Sequence, residues 1–442
     1  MRVSVIVTME ASPALRAESA LAFVLDTGPA PVPEPAVLDG LVIDSTFRPL
    51  PIASLTPDAI TLAAASLDTA PAFVTRGTIE VEHIEDVPHE RDGIQIFADP
   101  EVGLFAPNCP TGAVGSHLDV ARLLDTTALA AKKLDGKGVA VAIMDTGINL
   151  AHLRGLGLKP SLDRRTFWAP PGVPGTPGRF PTDHGTMCAF DALIAAPRCT
   201  LLDFPILRSR TPGGSVMSGF LSDALLAFSY LRGQMALPEW KYRALVINNS
   251  WGMYHPSWDF PPGHPGRYSD NPAHPFNIIV GTVARGGADI LFAAGNCGAD
   301  CPDGRCLGVT THTITGANAH PDVLTLAACD VHGSRLGYSS QGPAIAGMAA
   351  NKPDLTAYSH FRGSEAFGPA APDSGTSTAC PVAAGVVAAL RTRLAPSKVP
   401  PNALFSQVIA GAAPAPGTRR GWSPDYGAGI IDAVAVASHF GL

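Results

Sequence analysis

The sequence predicts an α/β protein: a doubly wound, mostly parallel sheet with helices on both faces, preceded by a small α+β domain. Three observations point there. From Leu118 onward short apolar runs alternate with helix-like stretches, the order that builds parallel sheets. Those runs are apolar throughout, as strands buried on both faces are. Before Leu118 the pattern is alternating and broken by prolines, so residues 1–106 read as one domain and residues 107–442 as another.

In chain order, Val3-Ser4-Val5-Ile6-Val7-Thr8-Met9 reads as a first strand. Residues 14–24 read as a helix, with Pro13 suited to its start, and Pro29, Pro31, Pro33 and Pro35 break the chain after it. Residues 77–82 alternate as a strand does, and residues 93–100 close the small domain. The larger domain opens its sheet with residues 138–144, a continuous apolar run. Further buried strands are expected at residues 243–248, 288–293 and 322–328. Helices are expected at residues 221–231, 276–285 and 382–390, the last an Ala-rich buried one. On such sheets ligands sit at the carboxyl ends of strands.

Composition narrows the classes. Apolar residues make up 46% and charged residues 16%, enough for a sizeable core. Lys plus Arg is 31 against 38 Asp plus Glu, a net charge of −7, which argues against a nucleic-acid partner. The chain shows no apolar run long enough to span a membrane. Glu10 interrupts the first apolar run before a secretory core forms, so the expected location is the cytoplasm or export by a non-classical route. Eight cysteines in a chain this long do not make a small disulfide-stapled scaffold, and most are expected to be free and buried. Cys297, Cys301 and Cys306 are expected to form a local disulfide or to stay as thiols. Their spacing with His312 fits no standard zinc knuckle, and no metal site is expected.

Three motifs carry chemistry. Asp145-Thr146-Gly147 directly follows the first buried strand, His184-Gly185-Thr186-Met187-Cys188 opens a helix, and Ser374-Gly375-Thr376-Ser377-Thr378 opens another. Acyl transfer to water needs a nucleophile, a base to take its proton, and a carboxylate that orients the base and stabilises its cation. A helix start at Ser377 adds amide N–H groups and a dipole that favour negative charge. Pro381 is expected in the first helical turn, where its missing N–H costs little. Ala293-Ala294-Gly295-Asn296 ends another strand, and the Asn296 amide is the candidate second donor to an oxyanion. Asp183 adjoins His184, but neighbouring side chains on a helix do not face each other.

In the order Asp, His, Asn, Ser these motifs resemble the subtilase family of serine peptidases, over roughly residues 118–435. Val246-Ile247-Asn248-Asn249-Ser250-Trp251-Gly252, Gly337-Tyr338-Ser339-Ser340-Gln341-Gly342-Pro343, Lys352-Pro353-Asp354 and Tyr426-Gly427-Ala428-Gly429 add to the resemblance. It implies a subtilisin-like fold and a serine endopeptidase acting through an acyl-enzyme. In that reading Asp145 is the orienting acid, His184 the base, Ser377 the nucleophile and Asn296 the oxyanion donor. It also implies that Ser250, Trp251 and Gly252 pair with a peptide or protein substrate as an added strand, with Ala293, Ala294 and Gly295 lining the pocket before the scissile bond. Residues 1–106 look like the family's inhibitory propeptide, an intramolecular partner cut somewhere in residues 106–116. No cofactor is implied: Arg154 stands where many members carry an acidic calcium ligand.

Other departures sharpen the expectations. Thr378 follows the nucleophile where many members have Met, so activity should survive mild peroxide. Cys188, one helical turn after His184, resembles the free cysteine that makes a minority of members sensitive to mercurials. Trp251 resembles the proprotein-convertase branch, but its acidic run is replaced by Met253-Tyr254-His255-Pro256, so specificity for paired basic residues is not expected. Residues 255–275 read as a long loop near the substrate strand, and Asp300 and Asp303 as solvated turn residues. Two other functions fit the same motifs: a silent scaffold whose cleft stays plugged by residues 1–106, and a peptide ligase or cyclase that passes the acyl group to an amine.

Overall fold

The computed structural model describes residues 1–10, 40–52, 72–91, 93–104, 109, 112–208 and 218–442. The helix expected at residues 14–24, the Pro-rich break after it and the first residues of the expected cut segment lie outside the described residues.

Residues up to Ala98 build an antiparallel sheet. β1 (Arg2–Glu10) runs between β4 (Ala72–Glu80) and β6 (Ile94–Ala98). β2 (Leu41–Ile43) and β3 (Leu50–Ile52) pair with β4, and β5 (Glu90–Arg91) pairs with β6. Alternation along β1 sorts its side chains onto two faces. Val5, Val7 and Met9 enter a small core with Ile79, Ile94, Ile96 and Phe260, while Ile6 on the other face joins Val74 and Phe97 in a core shared with the larger domain.

The larger domain is a seven-stranded sheet in the order β16-β15-β14-β12-β8-β10-β9. Its strands are β8 (Val139–Met144), β9 (Ser161–Leu162), β10 (Thr200–Phe204), β12 (Ala244–Asn249), β14 (Ala288–Ala293), β15 (Leu324–Cys329) and β16 (Leu355–Tyr358). All pairings in it are parallel. Alternate residues of β8 serve the two faces. Val139, Val141 and Ile143 pack with helices α4 (His184–Ala195) and α7 (Thr376–Arg391), and Ala140, Ala142 and Met144 with α5 (Leu221–Ala236) and α6 (Pro275–Arg285). The doubly wound arrangement is therefore as the apolar runs foretold. Four strands lie within two residues of expectation; β9, β10 and β16 were not anticipated. They are short, and β10 carries a buried Asp203 that interrupts its apolar signal. The smaller helices α1 (His117–Leu123), α2 (Thr126–Ala131), α3 (Leu150–Gly155), α8 (Pro401–Ala410) and α9 (Ala433–His439) complete the larger domain. Among the described residues no helix is long and apolar enough to cross a membrane.

Two features position the site. The chain runs from β8 outward to β9 and β10, then returns to β12 on the other side of β8. The carboxyl ends of β8, β12 and β14 thus open together at the point where the strand order reverses. The far end of α7 is pinned by Arg391, which forks onto Asp289 of β14 with two contacts of 2.6 Å, both residues fully buried. A second, three-stranded sheet lies at the same edge: β7 (Glu101–Leu104) runs between β11 (Ser218–Phe220) and β13 (Trp251–Gly252).

Candidate active site

Asp145 follows β8 without a break, and its backbone is held at both ends: its N–H donates to Phe204 O (2.9 Å) and its carbonyl accepts from Leu207 N (2.9 Å). Its carboxylate accepts Thr146 N–H at 2.8 Å and lies 2.9 Å from His184 Nδ1 through either oxygen. Both side chains are buried. His184 is the first residue of α4, and a close approach fixes that helix start. A Cβ on Gly185 would lie 2.5 Å from Gly147 O, so only glycine fits against the Asp-Thr-Gly turn. Gly185 N–H donates to Thr146 Oγ1 (2.9 Å), and Thr146 Oγ1 in turn donates to Asp183. Asp183 also takes Arg208 Nη2 at 3.1 Å. It is the N-cap residue of α4 and not the partner of the imidazole. Burial raises its pKa, opposed by Thr146 and Arg208.

Ser377 lies in the first turn of α7, entered through Gly375 at φ +85°. Its hydroxyl donates to Ser250 O (3.0 Å), and its carbonyl accepts from Ser250 Oγ (2.9 Å). Pro381 explains the second bond. It lies inside the helix, beyond the first turn expected for it, and its missing N–H is the one that would have bonded Ser377 O four residues back. Ser250 fills that gap and ties the end of β12 to the nucleophile turn. Cys188 marks the convergence: its sulfur is 3.6 Å from Asp145 Oδ2, 3.8 Å from His184 Nδ1 and 3.6 Å from Ser377 O. Burial, then the Asp145 charge, pushes this thiol well above its ordinary pKa, so it is not a thiolate nucleophile. Asp145, His184 and Cys188 also form a group whose potential metal-ligating atoms lie within 4.8 Å of one another.

Asn296 comes three residues after Ala293, the last residue of β14. Its Oδ1 accepts from Thr376 N (3.0 Å) and Thr376 Oγ1 (3.1 Å), and Thr376 Oγ1 also accepts Gly295 N–H (3.0 Å). These bonds fix the amide so that Nδ2 faces the other way. Asn296 Nδ2 and His184 Nε2 are buried and have no hydrogen-bond partner among the described residues. Buried donors and acceptors are normally paired, and an unpaired one calls for an explanation such as a catalytic role or a bound water.

The segment expected to be the substrate strand forms β13 and is paired with β7. Trp251 and Gly252 of β13 pair antiparallel with Leu104 and Gly103 of β7. The Trp251 ring points into the core against Phe276 and Phe292, so only its backbone serves the strand. Asn318, which sequence reasoning missed, donates from Nδ2 to both Trp251 O (3.0 Å) and Ala293 O (2.9 Å) and holds the two walls together. Ala293 ends β14; Ala294 packs with Ile314, Ala319 and Ala344, and Gly295 turns the chain at φ +105°.

Several expectations need correction. Cys297 pairs locally with Cys306, but Cys301 pairs with Cys109, 192 residues away; the other four cysteines are free and buried. His312 bonds Ala344 O (3.1 Å), away from them. Asp303 is buried, because it caps a short turn and forks onto Arg305, while Asp300 is an exposed partner of Arg335. The 255–275 loop forms the seat of the N-terminal sheet. Buried Asp259 organises it by accepting from the backbone of Phe260, Tyr268 and Ser269. From that loop His264 Nε2 reaches Val87 O (2.8 Å) and His274 Nε2 reaches Ala98 O (2.9 Å).

Comparisons with known proteins agree with this geometry. Residues 136–429 match the subtilase family. Among solved structures the chain is similar to fervidolysin from Fervidobacterium pennivorans, described as a keratinolytic enzyme related to subtilisin, with a TM-score of 0.61 and 14% identity. That likeness covers 99% of this chain and 61% of the other, so this chain spans less than two thirds of fervidolysin's length. No curated protein matches. The chain belongs to the subtilase family.

Proposed function

We propose that the protein is a serine endopeptidase in which Ser377 attacks the peptide carbonyl, His184 moves the proton and Asp145 orients His184. In this mechanism the Asp145 carboxylate holds the proton on His184 Nδ1, leaving Nε2 to accept from Ser377 Oγ. The hydroxyl turns from Ser250 O toward Nε2 as substrate enters. The oxyanion forms between the Ser377 amide and Asn296 Nδ2, and His184 then returns the proton to the leaving amine. A water repeats the sequence on the acyl-enzyme.

The observation that supports this reading is a pair of buried polar atoms without a hydrogen-bond partner among the described residues: His184 Nε2, on the ring that Asp145 holds, and Asn296 Nδ2, on the amide whose Oδ1 bonds Thr376 beside Ser377. We further propose that the chain is made self-inhibited. β7 lies where a substrate strand would lie, and continuing its antiparallel register by one residue sets the next residue of a substrate opposite Ser250, whose carbonyl touches Ser377. A plugged, silent scaffold draws on the same seated strand. A fluorophosphonate probe separates the two: the peptidase labels at Ser377 once its N-terminal region is cut, and Ser377→Ala does not label. No labelling of cut wild-type chain would leave the plugged scaffold.

A further inference from the structure

The backbone of a strand seated at β13 is met by one more side chain. Tyr254 lies three residues beyond Trp251, is buried, and donates from its hydroxyl to Leu104 O at 2.7 Å. Leu104 is the last residue of β7 and the one opposite Trp251, so this carbonyl sits one residue short of the position facing Ser250.

The direction of that hydrogen bond is imposed. Arg305 Nη2 lies 2.6 Å from the Tyr254 hydroxyl, and its guanidinium stacks 3.9 Å from the ring centroid. A guanidinium only donates, so the hydroxyl oxygen must accept from Arg305 and its own proton is left for Leu104 O. A cation on the acceptor side of a hydroxyl polarises it and strengthens its donation. Arg305 is itself fixed: Asp303 accepts from its Nε and Nη2, both at 3.0 Å, and from its backbone N–H at 2.9 Å. Asp303 N–H donates to Asn296 O at 2.8 Å, and the Cys297–Cys306 disulfide closes the loop between them. One short loop therefore begins with the oxyanion donor and ends with the residue that aims Tyr254.

We infer that Tyr254 is a substrate-positioning residue that hydrogen-bonds the carbonyl of the second residue on the amino side of the scissile bond, with Arg305 acting through it. This rests on the reading that substrates lie where Glu101–Leu104 lies. The contact recognises backbone and is blind to the side chain. It selects extended chains of at least two residues before the cut over single-residue esters.

The test compares the full chain, allowed to process itself, as wild type and Tyr254→Phe, on two substrates: a tetrapeptide anilide and a free-amine ester of its last residue. The ester cannot supply the recognised carbonyl. Loss of one hydrogen bond predicts that kcat/KM on the tetrapeptide falls about 3- to 10-fold while the ester is hydrolysed unchanged. Arg305→Met should give a similar selective loss, and the double variant little more than either. Equal losses on both substrates, or none on the tetrapeptide, would overturn the inference. A second arm needs no activity, so it stands even if the chain proves inert. In the Ser377→Ala background, Tyr254→Phe should speed amide exchange across Glu101–Leu104 several-fold and leave β8 and β12 unchanged. Unchanged exchange in that segment would also overturn it.

Discussion

The two sheets of this protein hold together differently. In the larger domain β8, β12, β14 and β15 are buried along their whole length, with helices on both faces. In the N-terminal sheet β1 divides its side chains between a small core of its own and the flank of the other domain. The seam between them is partly apolar, through Ile6, Phe97 and Val74 against the α5 and α6 side. It is also dense in buried polar contacts. Asp99 accepts Ser222 N–H (2.8 Å) and Ser222 Oγ (2.7 Å) at the start of α5, Arg76 meets Asp223 at 2.9 Å, and His274 meets Ala98 O. Hydrogen bonds that water can replace add little net stability to the seam, whereas the parallel core rests mainly on apolar burial.

That contrast can be broken or sharpened by experiment. The largest effect expected is on catalysis at the sheet edge. Asn296→Ala should lower kcat by about 10²–10³-fold with little change in KM, the range known for loss of such a donor in subtilisin itself. A proportionate rise in KM would mean that Asn296 binds substrate and not the oxyanion.

Next comes the core. Arg391→Ala leaves Asp289 buried and unpaired, and the larger domain should lose about 3–5 kcal/mol in urea unfolding. A change below about 1 kcal/mol would show the fork to be solvated, since exposed pairs contribute no more than that.

The smallest effect belongs to the seam and depends on pH. Phe276 N–H donates to His274 Nδ1 (3.2 Å), so Nε2 carries the proton given to Ala98 O, and the ring is neutral. Burial pushes its pKa down to about 4 from 6.5, so its contribution to docking is present above pH 6.5 and lost as pH falls toward 4. Asp99 has the opposite sign. Burial pushes it up to about 6 from 3.8, with the Ser222 hydrogen bonds and Arg76 opposing and Asp223 adding, so its contribution is full below pH 3.8 and lost as pH rises through 6. The two should nearly cancel between pH 4 and 6.5. His274→Gln should make docking tighten toward acid and Asp99→Asn should make it loosen, read by amide exchange in β6. Identical pH profiles in both variants would refute the opposition.

Much of this molecule was legible before its structure. Continuous apolar runs mark β8, β12, β14 and β15 because both their faces are covered, and each chemical motif follows such a run or opens a helix. Asn296 was legible for the same reason. What escaped notice depends on contacts between distant segments. Thr376 lay inside a recognised motif, yet its role in orienting the Asn296 amide needs the loop after β14 beside it. Asn318 and Tyr254 sit in stretches with no periodic signal. The Cys109–Cys301 link joins residues that no local spacing connects, and Asp303 looked like a turn residue because its partner, Arg305, had no visible role. The loop at 255–275 was expected near the substrate strand; its second role, supporting the N-terminal sheet, was not, because it depends on Asp259 folding the loop inward on its own backbone.

The most direct test is the intact mass of the full chain, wild type beside Ser377→Ala, before and after incubation. Wild type should shed an N-terminal fragment ending just beyond Leu104, and Ser377→Ala should keep its full mass. Identical cutting of both chains would contradict this, as would a wild type that stays whole.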